Sequence, residues 1–200
     1  MTSRSVARIE TIWDSLCEDK EPPKRSAISA PLLGDALPYG FILEQPTQGA
    51  SRFRLVGEKV IECAGIDLIA MPFTGLFEGA SRPVARALAA AVFNDRAILE
   101  ITFRVQNTPT KGLLRLFPLK DQNGRKMALG GFEVIGSTVS AAGRLSILDS
   151  TLRHDRLAKK TLQYTTMPAL TKCPEFALSG AQLKKPDALR PVLKLVKSAN

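Results

Sequence analysis

The chain has 200 residues, 44% of them hydrophobic and 24% charged, and a formal net charge of +9. That length fits one medium domain with an appendage, and the composition excludes a disordered or fibrous protein. No apolar run approaches the roughly 20 residues of a membrane helix. The polar first ten residues lack the apolar core of a signal peptide, so a cytoplasmic protein is expected.

In chain order, Val6, Ile9, Trp13 and Leu16 form one stripe of an amphipathic helix, which Pro22 and Pro23 end. A short helical turn follows near Ser29 or Pro31. Residues 39–44 read as a strand and 45–50 as a turn. Arg52-Phe53-Arg54-Leu55-Val56 alternates polar and apolar, the period of a half-buried strand, and the two strands form a hairpin. Residues 58–64 suit a short helix, and Gly65, Pro72, Gly75 and Gly79 break up the next stretch. A longer helix runs over 81–94, with Val84, Leu88, Ala91 and Val92 inward. Three strands follow at 97–106, 112–119 and 127–135, joined by turn-forming residues. Short connections imply antiparallel pairing. The expected fold is α+β, a five-stranded antiparallel sheet with helices on one face.

Three segments follow from this pattern: a leading helix and linker at 1–28, a domain at 29–136, and a basic extension at 137–200, partly helical or disordered. Residues 143–200 hold eleven basic side chains against four acidic ones, a net +7. Leu145, Leu148 and Leu152 suggest a helix leaving the domain. Lys184, Lys185 and Arg190 mark the tail as a surface for an acidic partner, nucleic acid or an anionic membrane, and the same charge also suits a solvated tail.

The order of elements is that of a PAS domain. More specifically, the chain resembles a family of small stand-alone PAS-like proteins of alphaproteobacteria. The resemblance rests on Trp13, on Pro23, Arg25 and Ser26, on Pro31, Leu37 and Pro38, and on Phe41-Ile42-Leu43-Glu44. Arg52-Phe53-Arg54-Leu55-Val56-Gly57 is its most specific piece; Gly65, Leu116-Phe117-Pro118-Leu119, Gly130 and Gly131 complete it. It covers residues 6–135. It implies a sensory or regulatory module without common catalytic residues. Such a module binds a small molecule between sheet and helices or pairs with another protein, for instance a component of a histidine-kinase pathway. The 200 residues show no kinase, cyclase or DNA-binding module, so any signal is expected to pass to a separate protein or through the tail.

The residues offer little catalytic chemistry. Cys17, Cys63 and Cys173 are odd in number and widely spaced, which suits neither a disulfide framework nor zinc. His154 is the single histidine, so a multi-histidine metal site is not expected. Cys63 reads as a small buried hydrophobe rather than half of a dyad with His154. Its surroundings, Ile-Glu-Cys-Ala-Gly, lack the flavin-adduct motif of photosensory PAS domains. The long helix holds no histidine for haem. Glu58 and Glu62 share a solvated helix edge, and the glycines near 75 and 79 lack a phosphate-loop lysine. No enzyme and no cofactor are expected.

Two kinds of site remain. Ile61, Cys63, Phe73, Phe77, Leu88, Val92, Phe103, Leu116 and Phe132 are candidate walls of a ligand pocket, or simply a filled core. Arg52 and Arg54, with Arg104 and Arg115, are candidates for an acidic partner. Val6, Ile9, Trp13 and Leu16 pack on the chain's own sheet, on a second copy as a homodimer, or on a partner with Trp13 as anchor. The leading expectation is a regulator acting through protein contacts; a small-molecule sensor and nucleic-acid or anionic-surface binding through the tail are the alternatives.

Overall fold

The computed structural model describes residues 4–19, 21–46, 50–122, 125–135, 142–154 and 158–163. Helix α1 spans Arg4–Ser15. It stops seven residues before Pro22, where the amides of Leu16 and Cys17 turn back onto the carbonyls of Trp13 and Asp14. Helix α2 (Ala30–Leu33) and a 3-10 turn lead into strand β1 (Gly40–Gln45), which pairs with β2 (Arg52–Val56). Helix α3 (Glu58–Ala64), two further 3-10 turns and helix α4 (Arg82–Asp95) follow. Strands β3 (Ile98–Val105), β4 (Lys111–Gln122) and β5 (Arg125–Ile135) complete the expected set.

The sheet is larger than five strands. Strand β6 (Leu145–His154) pairs with β3, and a short β7 (Ala158–Gln163) pairs with β6. The order is β2-β1-β5-β4-β3-β6-β7, antiparallel throughout. The expected helix through Leu145, Leu148 and Leu152 is therefore a strand. Leu145 and Ile147 alternate into the core. A register shift between Thr102 and Phe103 then lets Ser150 and Leu152 do the same. The sheet thus continues past residue 136, where the sequence pattern placed the start of the extension.

Helices cover both faces rather than one. On the inner face α3, α4 and the 3-10 turns bury Val60, Leu76, Leu88 and Val92 against Leu99, Ile101, Leu114 and Leu116. On the outer face α1 buries Ile9 and Trp13 against Ile42, Phe117 and Leu129. Polar contacts hold α1 there. The amides of Ser5 and Val6 donate to Glu133 Oε2 at 2.9 and 3.3 Å. A carboxylate thus satisfies free N–H groups at the positive end of the helix. Glu10 bridges Arg115 and Arg153, the latter at 2.9 Å, and Arg115 reaches on to Glu100 at 2.6 Å.

Two glycines allow the inner layer to close. Phe41 pairs directly with Gly130, and Phe103 with Gly112. A Cβ at either glycine would lie 2.1 Å from the opposing ring. Each ring therefore lies over bare backbone of the next strand, a cross-strand aromatic–glycine pair.

Candidate functional site

The space between sheet and inner helices is filled by side chains. Phe41, Phe53, Phe73 and Phe77 run in a chain, with ring centroids 5.4, 6.0 and 5.2 Å apart. Phe103 stacks on Phe132 at 5.0 Å. Of the nine expected pocket residues, Cys63, Phe73, Phe77, Leu88, Val92, Phe103, Leu116 and Phe132 lie in this one buried cluster. Ile61 is half-buried and outside it. The structure brings eight of the nine together as packed core. Sequence reasoning missed Phe41, Phe53 and Phe93, which fill the same layer.

Burial pushes the Cys63 thiol up to about 11. The neutral thiol is the unreactive form. Iodoacetamide at about pH 8 is therefore expected to label Cys63 only after denaturation, as read by peptide mass spectrometry. Linkage gives a second consequence. As pH rises, the unfolded thiol loses its proton first, so the group's contribution to stability falls from the ordinary thiol range up to about pH 11.

The leading-helix stripe is not a free surface. Val6 and Ile9 are fully buried, and Trp13 is 8% exposed. The Trp13 indole N–H donates to the Pro118 carbonyl at 2.7 Å, and its ring lies 5.4 Å from Phe117. Leu16 packs against the same cluster. Of the three expected coverings for this stripe, the structure shows the first: the chain's own sheet covers it. Lys184, Lys185 and Arg190 lie outside the described residues.

Arg52 and Arg54, by contrast, are exposed. Strand β2 carries a bulge: Leu55 opposes Ile42, and Phe53 opposes Leu43, leaving Arg54 as the extra residue. The strict alternation read from the sequence fails here. Phe53 is fully buried and Leu55 is 52% exposed. Arg54 Nε reaches Glu44 Oε2 at 3.1 Å, and Arg125 Nη1 reaches Glu44 Oε1 at 3.2 Å. The Glu44 side chain is 11% exposed and both arginines about 60%. A largely buried carboxylate thus anchors two outward cations.

The outer edge of β2 is closed by residues 70–73. The Phe53 amide donates to Met71 O at 3.0 Å, the Ala70 amide to Phe53 O at 2.9 Å, and the Phe73 amide to Ser51 O at 2.8 Å. Asp67 Oδ1 accepts from the Ile69 amide at 2.9 Å and shapes the approach. Between this segment and the hairpin lies a shallow cleft of about 240 Å³, lined by Glu44, Pro46, Arg52, Phe53, Arg54, Ile69 and Ala70. Glu44, Ile69 and Arg125 were not visible as site residues, because the bulge and the return segment that assemble them leave no local pattern.

Among the described residues no helix is long and apolar enough to cross a membrane. No curated protein and no solved structure matches the chain. A family model described as PAS domain matches residues 1–133, two thirds of the length and every element from α1 through most of β5. The inner helices and the first five strands have the arrangement that this match requires, and the chain belongs to the PAS domain family.

Proposed function

We propose that this chain is a regulatory PAS protein that works through protein–protein contacts on its surface. Family membership supports a sensory or regulatory role. One observation carries the finer reading: the layer where a ligand would sit is packed with phenylalanines, five of them fully buried or nearly so at Phe53, Phe73, Phe77, Phe103 and Phe132. Protein interiors are close-packed, so a guest in this layer would have to displace phenylalanine rings. Among the described residues the two most exposed large apolar side chains, Leu55 and Ile69, stand on and beside the hairpin, next to two exposed arginines.

The test is complementation. A strain lacking the chain is supplied with wild type or with the double variant Arg52→Glu, Arg54→Glu. Both positions are exposed, but Arg54 pairs with the largely buried Glu44, so the variant is expected to stay folded with a melting temperature lowered by a few degrees. It is expected to leave the transcript profile in its deleted state. Full restoration by the double variant would overturn the assignment of this surface.

A further inference from the structure

We propose that the cleft beside β2 receives an acidic–apolar segment of a partner protein. One apolar side chain would sit on Ile69 and Ala70, with flanking carboxylates on Arg52 and Arg54 and on Arg125, which shares Glu44 with Arg54. The inference rests on the reading that the chain works through surface contacts, and it names the chemistry of the contact.

Size is the first argument. Small-molecule sites occupy roughly 300–1,000 Å³ and enclose their ligand. This cleft is about 240 Å³ and open, which suits one or two side chains. Charge is the second. Two of the three arginines, Arg54 and Arg125, meet a single carboxylate, Glu44, and occupy one of its oxygens each. A guanidinium has five N–H donors in a planar fork. Arg54 and Arg125 each use one nitrogen on Glu44, so donors remain for carboxylates of a partner. The mode of docking is the third. Residues 70–73 already take the backbone groups of β2, so a partner cannot add as a strand and must bind through side chains.

The same facts select among occupants. Residues 164–200 hold six basic side chains against two acidic ones, the wrong sign for an arginine-lined cleft. Single-stranded nucleic acid needs aromatic faces for stacking, and the aromatic residue in the cleft, Phe53, has no exposed surface. An aliphatic floor ringed by arginines suits an acidic peptide with one apolar residue.

The test titrates full-length protein into a fluorescein-labelled peptide, Glu-Glu-Leu-Glu-Glu, and reads anisotropy at low ionic strength. Saturable binding with a Kd below about 1 mM is expected. It should weaken as salt rises. Arg52→Glu and Ile69→Asp, both at exposed positions, should each weaken it about tenfold or more at unchanged melting temperature. Absence of saturation overturns the proposal. So does equal binding of Glu-Glu-Ser-Glu-Glu, which would mean charge alone. Displacement by inorganic phosphate at the peptide's own concentration would mean a simple anion site. Tighter binding of oligothymidine would mean nucleic acid, and Ile69-dependent self-association in sedimentation would mean a second copy. If the peptide fails while the double arginine variant still fails in cells, the surface reading stands and the ligand class falls.

Discussion

Truncation after Ile135 is expected to abolish cooperative unfolding, although the shortened chain keeps every residue of the family match. The lost segment is part of the core. Leu145, Ile147 and Leu152 are 0%, 5% and 2% exposed. Each such side chain contributes about 1.5–3 kcal/mol when buried. Their sum is comparable to the whole stability of a domain, about 5–15 kcal/mol. The loss also strips β3 of one of its two strand partners, β6, from Ile98 to Val105. Further links go with it. The Gly143 amide donates to Cys63 O at 2.9 Å, the Glu78 amide to Leu145 O at 3.1 Å, and the Ile147 amide to Ser81 Oγ at 3.1 Å. Arg144 also bonds the Gly75 carbonyl. A chain ending at Gln163 keeps all these groups and serves as the control. Thermal scans by circular dichroism distinguish the two. A sharp transition in the 1–135 chain near the wild-type temperature would show that β6 is an accessory.

Trp13→Ala is expected to cost about 3–5 kcal/mol, the range for deleting a buried large aromatic side chain. The change removes the stack on Phe117 and leaves the Pro118 carbonyl without its indole donor. Trp13→Phe keeps the ring and loses the hydrogen bond, so about 1–3 kcal/mol is expected there. Urea denaturation with linear extrapolation reads both. A Trp13→Ala cost below about 1 kcal/mol would contradict the docking of α1 on its own sheet. The result bears on function as well. A helix fixed this firmly is a structural element of the outer face, not a free hook for a partner.

Much of the fold is legible in the residues. Helix α3 falls where the sequence puts it, between Gly57 and Gly65, and strand β2 keeps its expected place although the bulge breaks its alternation. Other features depend on partners far along the chain. The amphipathic stripe of α1 is plain, but no local signal says which sheet face receives it; Glu133 and Pro118 decide that from more than 100 residues away. Leu145, Leu148 and Leu152 have helical spacing, while the competing set Leu145, Ile147 and Leu152 has strand spacing with one bulge. The free edge of β3 selects the second. At the candidate site Arg52 and Arg54 are readable as exposed cations. The carboxylate that anchors Arg54, the third arginine and the apolar floor come together only through the hairpin bulge and the return of residues 69–73.

On the function proposed above, the interior is closed and the surface does the work. Native and denaturing mass spectra of the purified full-length protein test it most directly. The same polypeptide mass is expected in both. A small molecule bound one per chain, present in the native spectrum and absent from the denatured one, would contradict it and return the function to ligand sensing in the layer now filled by phenylalanines.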